Sequence, residues 1–183
     1  GIYIGSVTNA NVKDNIVKNT DYGMSFNGAS SSTATENQIL YSYGAFNVEH
    51  SANILLSSNQ LSNYGWYDLH ITNSSVNLQS TSNNEWINCL SNGNSTINTN
   101  GTLGYVELTQ DSSLQLQNAL YIDALDICEN ADLTTSNSTV GGLYLAYSSS
   151  ATLYDTTVEL VYLLSIDSNL SLTGIPSDRT GNF

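Results

Sequence analysis

Four carboxylates stand close together in the second half of the chain: Asp123, Asp126, Glu129 and Asp132. Carboxylate oxygens, together with the amide oxygen of the neighbouring Asn130, are ligands that Ca²⁺ prefers. The spacing does not match an EF-hand loop, and a solvated turn between two strands is the simpler explanation. The run makes calcium the one candidate cofactor, with these four residues as its ligands.

Few other residues of the chain are suited to metal binding or catalysis. His50 and His70 are separated by about one repeat, but two imidazoles alone make a weak metal site. Asp68 and Glu85 stand apart from other carboxylates, whereas a glycoside hydrolase needs two that flank one bond. Abundant serine with only two histidines gives no specific Ser-His-Asp arrangement. We therefore predict no catalytic residues and no enzymatic activity.

The two cysteines, Cys89 and Cys128, are separated by two repeats at the local period. Strands stacked two apart are separated by about 10 Å, and a disulfide needs Cα atoms within about 7 Å. A bond within the chain is therefore disfavoured. Cys89 alternates with Ile87 and is predicted to point into the core, so Cys128 is the first candidate for a disulfide between subunits, and Cys89 the second.

Several asparagines occur in the Asn-x-Ser/Thr pattern of N-glycosylation, and each falls in a predicted turn. They are Asn73, Asn94, Asn100, Asn137 and Asn169. Asn73 and Asn94 are separated by one repeat and are predicted to lie one above the other. A chain rich in Asn, Ser and Thr contains such sequences by chance, but they fit an extracellular glycoprotein at a cell surface.

The charge balance excludes two classes of partner. The chain of 183 residues has 3 Lys+Arg against 16 Asp+Glu, a net charge of -13. So few cations cannot neutralise a row of phosphates, so nucleic acid is excluded as a partner. They also give no attraction to an anionic membrane, and no apolar run reaches the roughly 20 residues of a membrane span, so we predict no membrane insertion.

The elements that position these residues repeat along the chain. Tyr-Gly pairs recur at a constant spacing of 21 at Tyr22-Gly23, Tyr43-Gly44 and Tyr64-Gly65, each before a short apolar segment. Asn15, Asn37 and Asn59 recur at a spacing of 22, each before another apolar stretch. Period-two alternation and Asn, Ser and Gly punctuation are typical of strands and turns. A constant period predicts a coil in which each turn, here called a rung, stacks on the previous one.

The repeat shortens beyond residue 85. Alternating segments begin near Trp86, Tyr105, Ala124, Leu143 and Val161, in steps of 18 or 19. We predict an all-β solenoid of about nine rungs that forms a single domain over residues 1–175. The period is 21–22 over 1–84 and 18–20 over 85–175, and the segment 176–183 forms a C-terminal tail.

The run from Asn15 to Gly23, echoed from Ser58 to Gly65, resembles right-handed parallel β-helix repeats of the NosD-like, carbohydrate-binding-and-sugar-hydrolase type. Pectate lyases and polygalacturonases share that architecture. The resemblance implies a right-handed parallel β-helix, but one solenoid fold hosts many activities. A lyase of this type needs a cationic base, and the chain offers only Lys13 and Lys18 in the first rung and Arg179 in the predicted tail.

The repeated residues have structural and functional interpretations. The asparagines at 15, 37 and 59 are predicted to form a stacked amide ladder. Gly23, Gly44 and Gly65 are predicted to mark turns with positive φ. The tyrosines at 22, 43 and 64 are predicted to stack at one corner, with a sugar-binding aromatic strip as the alternative.

Two functions follow from these features. The first is a structural, self-assembling protein of the cell envelope, such as a surface layer, sheath, fibre or adhesin stalk, whose partners are other copies of itself. The second is a module that binds or cleaves polysaccharide. That module predicts a groove lined by Tyr and Trp, with carboxylates converging on one face.

Overall fold

The computed structural model describes residues 1–63, 65–79, 88–165 and 167–174. Within these ranges the protein is all-β, with no helix and therefore none long and apolar enough to cross a membrane. Parallel strands stack as a β-solenoid of about eight turns. The predicted tail at 176–183, with Arg179, and the predicted change of period at 84/85, with Glu85 and Trp86, lie outside the described residues.

Two nine-stranded parallel sheets run along the solenoid. The first sheet contains β1 (Ile2–Gly5), β4 (Tyr22–Asn27), β7 (Gly44–Glu49), β10 (Leu69–Thr72), β12 (Cys89–Asn92), β14 (Thr102–Leu108), β16 (Tyr121–Ile127), β18 (Thr139–Leu145) and β20 (Thr157–Leu163). The second contains β2 (Asn11–Lys13), β5 (Thr33–Thr35), β8 (Ile54–Ser57), β11 (Ser75–Leu78), β13 (Asn94–Thr99), β15 (Ser113–Gln117), β17 (Asp132–Ser136), β19 (Ser150–Tyr154) and β21 (Asn169–Thr173). A third, three-stranded sheet contains β3 (Ile16–Lys18), β6 (Gln38–Ser42) and β9 (Gln60–Asn63).

The core lies between the sheets and is filled by alternate side chains. In β8, Ile54 and Leu56 are buried, and in β15 the same holds for Leu114 and Leu116. Because successive side chains of a strand point to opposite faces, the residues between them face outward. Each rung therefore presents one row of apolar side chains to the core and the alternate row of side chains to the outside.

Loss of the third sheet explains the shortening of the repeat. Strand register advances by 22 from Ile2 to Met24 and again to Phe46, where each rung has three strands. It advances by only 18 from Leu125 to Leu143 and again to Val161, where each described rung has two strands. The length of the sequence repeat therefore indicates whether a rung has three strands or two.

Candidate functional site

The outward side chains of the first sheet form a column that runs the length of the solenoid. Strand register places one residue from each rung in this column: Tyr3, Ser25, Asn47, His70, Leu90, Glu107, Asp126, Tyr144 and Tyr162. Rungs are spaced by about 4.8 Å. Neighbouring members of the column are therefore close enough to act on one extended ligand.

Two tyrosines and two carboxylates form the centre of this face. The Tyr105 hydroxyl donates a hydrogen bond of 2.7 Å to Asp126 Oδ2, and the Tyr67 hydroxyl donates one to Glu107 Oε2. The two tyrosine rings stack with centroids 6.5 Å apart and planes inclined by 28°. We call Tyr67, Tyr105, Glu107 and Asp126 the tyrosine–carboxylate strip. Trp66 precedes it in the chain and is 82 % exposed.

The strip keeps its phenols protonated. Burial raises the pKa of Tyr67 above the ordinary value for tyrosine, and the hydrogen bond to Glu107 and the charge of that carboxylate raise it further. Burial likewise raises the pKa of Tyr105, with Asp126 as the hydrogen-bonded carboxylate. At neutral pH the strip therefore consists of neutral aromatic hydroxyls that donate to carboxylate acceptors.

His70 connects the strip to the preceding rungs. Its Nδ1 lies 3.3 Å from the Tyr22 hydroxyl, and its ring meets the rings of Tyr22 and Tyr67 edge-on, at centroid distances of 5.2 Å and 5.5 Å. Burial lowers the pKa of His70, which favours the neutral imidazole. His50 is not its neighbour in the stack: His50 lies in an exposed turn, and Asn47 is the register partner of His70. The structure therefore does not bring the two histidines together.

The four carboxylates of the candidate calcium site are distributed over two sheets and a turn. Asp123 is exposed on β16, Asp126 binds Tyr105, and Glu129 lies in the turn after that strand. Asp132 belongs to the second sheet, where it accepts a hydrogen bond from Ser150. Within the described ranges no three His, Cys, Asp or Glu side chains form a group that could hold a metal ion. A corner of the solenoid separates Asp132, on the second sheet, from Asp123 and Asp126, on the first.

The predicted asparagine ladder is present in the first three rungs. Asn15 Nδ2 donates to Asn37 Oδ1 at 3.0 Å, and Asn37 Nδ2 donates to Asn59 Oδ1 at 3.0 Å. The backbone amides of Asn15 and Asn37 donate to the same two oxygens. Asn37 and Asn59 are buried, so these bonds satisfy polar groups inside the corner.

The predicted tyrosine ladder is wrong at its first step, because the register step from β4 to β7 is 22 and not 21. Tyr22 is paired with Gly44, not with Tyr43, and Tyr64 lies outside the described residues. Gly23, Gly44 and Gly65 also lack the predicted positive φ. They are needed for close approach: a Cβ at Gly44 would lie 2.7 Å from the Tyr22 ring, and one at Gly65 would meet the Tyr43 carbonyl oxygen.

Both cysteines are free thiols. Cys89 is 0 % exposed in β12, as its alternation predicts. Cys128 is half-buried, with its Sγ 3.4 Å from the carbonyl oxygen of Leu108. Burial and then the charges of Asp126 and Glu129 raise the pKa of Cys128, so its thiolate form is disfavoured. A disulfide between subunits remains a prediction.

The asparagines of all five glycosylation sequences are exposed: Asn73, Asn94, Asn100, Asn137 and Asn169. Asn94 and Asn169 begin strands β13 and β21, not turns. Asn73 and Asn94 are stacked as predicted, since the backbone N–H of Asn94 donates to Asn73 Oδ1 at 3.0 Å.

The sequence pattern does not predict a second asparagine ladder, which the structure contains. It begins within strands β11 and β13 of the second sheet and continues just after β15 and β17: Asn98 donates to Asn77, Asn118 to Asn98 and Asn137 to Asn118, at 2.9–3.3 Å. Its steps of 21, 20 and 19 follow the changing period. Asn77 and Asn98 are register partners, whereas the register partner of Asn98 on β15 is Gln117, and Asn118 follows it.

Sequence reasoning also misses the strip itself. Tyr67 and Tyr105 carry no motif, and Glu107 and Asp126 stand far apart along the chain. The available signal is the spacing of the two carboxylates, which equals the local repeat.

The fold defines a parallel β-solenoid. No family model, curated protein or solved structure matches the chain. The likeness to NosD-like repeats therefore stays a resemblance in residue pattern.

Proposed function

We propose that this chain is an extracellular β-solenoid that binds polysaccharide along the outer face of its first sheet. The observation that carries the proposal is the tyrosine–carboxylate strip, in which Tyr67 and Tyr105 stack beside Glu107 and Asp126. A cell-surface location is part of the proposal. Its support is the exposure of the five sequon asparagines and the polar, cation-poor composition.

The chemistry of the strip suits a sugar chain. Aromatic rings with a polar edge pack against the C–H faces of a pyranose while their hydroxyls bind its oxygens. Carboxylates accept hydrogen bonds from sugar hydroxyls, and such charge-assisted bonds are stronger than neutral ones. Because rungs repeat every ~4.8 Å along the axis, a linear polymer lying parallel to that axis meets successive members of the column.

Binding without cleavage fits the strip better than hydrolysis. A glycoside hydrolase places an acid and a second carboxylate on either side of the bond that breaks. Glu107 and Asp126 are register partners on neighbouring strands, and both project from one sheet face. Both carboxylates would therefore contact the same side of a bound chain.

The test is a glycan array screened with the purified chain, followed by calorimetry with the best oligosaccharide. Trp66→Ala and Tyr105→Ala should each weaken binding by about tenfold or more, equivalent to about 1.4 kcal/mol or more. Tyr154→Ala is the matched control, since Tyr154 is an exposed strand tyrosine on the second sheet. The proposal would be overturned if no glycan on the array bound the protein, or if all three variants bound the oligosaccharide with the same affinity.

Self-association into a stiff cell-envelope polymer is the second candidate function. The observation in its favour is β20, the last strand of the first sheet among the described residues, where Leu163 is 56 % exposed while its register partner Leu145 is 0 % exposed. A second copy that added strands to β20 would bury Leu163 as β20 buries Leu145. Sedimentation velocity over a hundredfold range of concentration, with Leu163→Asp as the variant, tests this. A monomer at every concentration would contradict it.

A further inference from the structure

We infer that the strip selects polysaccharides built from amino sugars with free amines over uronic-acid polymers. The inference rests on the proposed function and names the substrate class for the same face. The occupant is a linear polycation, and the argument comes from the charges that surround the aromatic rings.

The described part of the first sheet has carboxylates but no Lys or Arg. Glu107 and Asp126 lie at the centre of its outer face, Glu49 lies on the outward side of β7, and Glu159 is exposed on β20. The described lysines belong to other sheets: Lys13 is in β2 and pairs with Glu36 at 3.2 Å, and Lys18 is in β3. The negative potential of this face is therefore uncompensated on its own sheet.

The charges along the face favour one sign of ligand. A uronate polymer would bring one negative charge per sugar against Glu107 and Asp126, with no described cation on the sheet to receive it. An ammonium group on each sugar would form charge-assisted hydrogen bonds with these carboxylates. It would also lie beside the faces of Tyr67 and Tyr105, where a cation is attracted to the ring.

The aromatic rings favour an amino-sugar polymer over a simple basic peptide. Tyr67 and Tyr105 are stacked and only part-buried, so their exposed surface gains little from a charged side chain alone. A pyranose offers an apolar face to the rings and an amine to the carboxylates at the same time. We therefore expect an amino-sugar oligomer to bind more tightly than an oligolysine of equal charge.

Calorimetry with three oligosaccharides of equal length tests the inference. The probes are β-1,4-linked glucosamine, its N-acetylated form, which is neutral, and galacturonate. The glucosamine oligomer should bind at least about tenfold more tightly than the N-acetylated one, and the galacturonate should not bind measurably. The difference should shrink as salt is raised, because exposed charges are screened.

A double variant, Glu107→Gln with Asp126→Asn, should remove most of the preference for the amine. The control removes the same charge elsewhere, by Asp111→Asn with Asp167→Asn, since both aspartates are exposed and lie outside the first sheet. The control should keep the preference.

The failures are distinguishable. Equal affinity for the two glucosamine forms, with Tyr105→Ala still weakening both, would overturn the amino-sugar inference and leave polysaccharide binding in place. Equal binding of oligolysine and the glucosamine oligomer would overturn the inference in favour of charge alone. Binding of none of the oligosaccharides, together with an empty glycan array, would overturn both proposals.

Discussion

The hydroxyl group of Tyr105 on β14 donates a 2.7 Å hydrogen bond to Oδ2 of Asp126 on the neighbouring strand β16. The two residues are distant in the chain, and the parallel register between their strands brings them together. The bond ties a neutral donor to a carboxylate on the outer face of the first sheet. The contribution of this bond to stability therefore depends on pH in the alkaline range.

We expect stability to fall as pH rises above about 10. In the unfolded chain Tyr67 and Tyr105 ionise near the ordinary tyrosine pKa of about 10. In the native protein burial and the carboxylates hold both pKa values higher, so the unfolded state loses protons first. The free energy of unfolding therefore decreases with pH in that range.

Urea unfolding between pH 8 and pH 11 measures this effect. Tyr67→Phe combined with Tyr105→Phe should make the decrease shallower, because neither ring can then ionise. Tyr147→Phe is the control, since Tyr147 is an exposed turn residue. The same slope in the double variant and the wild type would contradict the prediction.

Removing the middle of the first asparagine ladder should be costly. Asn37 is 1 % exposed, and its amide also donates to the carbonyl oxygens of Val12 and Thr35. Asn37→Ala leaves those part-buried carbonyls and the Asn15 amide without their partner, at a cost of about 3 kcal/mol.

Asn98→Ala is the matched variant for this measurement. Asn98 stands in the middle of the second ladder but is exposed, so water replaces its lost bonds. We expect Asn98→Ala to lower the free energy of unfolding by less than about 1 kcal/mol, as measured by urea unfolding. A comparable loss in both variants would show that burial does not set the cost.

Glycine at position 23 should resist substitution. A Cβ there would lie 2.9 Å from the carbonyl oxygen of Ala45 and would collide with the Ile39 side chain, so Gly23→Ala should lower the unfolding free energy by about 2 kcal/mol. Gly101→Ala is the control, since its nearest contact would be Thr99 Oγ1 at 3.5 Å. It should be neutral or stabilising by about 0.5 kcal/mol, because alanine restricts the unfolded chain. Thermal unfolding of both variants measures the difference. Equal destabilisation by Gly23→Ala and Gly101→Ala would show that close approach of neighbouring atoms is not the reason for glycine at position 23.

Expression in a glycosylating host should modify Asn73 or Asn94 but not both in one molecule. The two asparagines are stacked on neighbouring rungs about 4.8 Å apart, which leaves no room for two glycans side by side. Mass spectrometry of intact protein and of mapped peptides measures the occupancy. Asn94→Gln should raise the occupancy of Asn73, and molecules that carry both glycans would contradict the prediction.

The sequence by itself determined the β-solenoid, the buried Cys89 and the ladder of Asn15, Asn37 and Asn59. These depend on alternation and on a period of 22, and both are local patterns that a stacked coil must repeat. The first step of the tyrosine ladder was wrong because strand register pairs Tyr22 with Gly44 and not with Tyr43, and a shift of one residue moves a side chain to the other face.

Only the tertiary structure decided which outward residues meet. Corners of unequal length and the loss of the third sheet change the register step from 22 to 18, so a fixed period cannot place Tyr67 beside Glu107. The same corners separate Asp132 from Asp126, although the two are close together in the sequence. Strand pairing sets register rung by rung, and it is this register that assembles the tyrosine–carboxylate strip and divides the predicted calcium site.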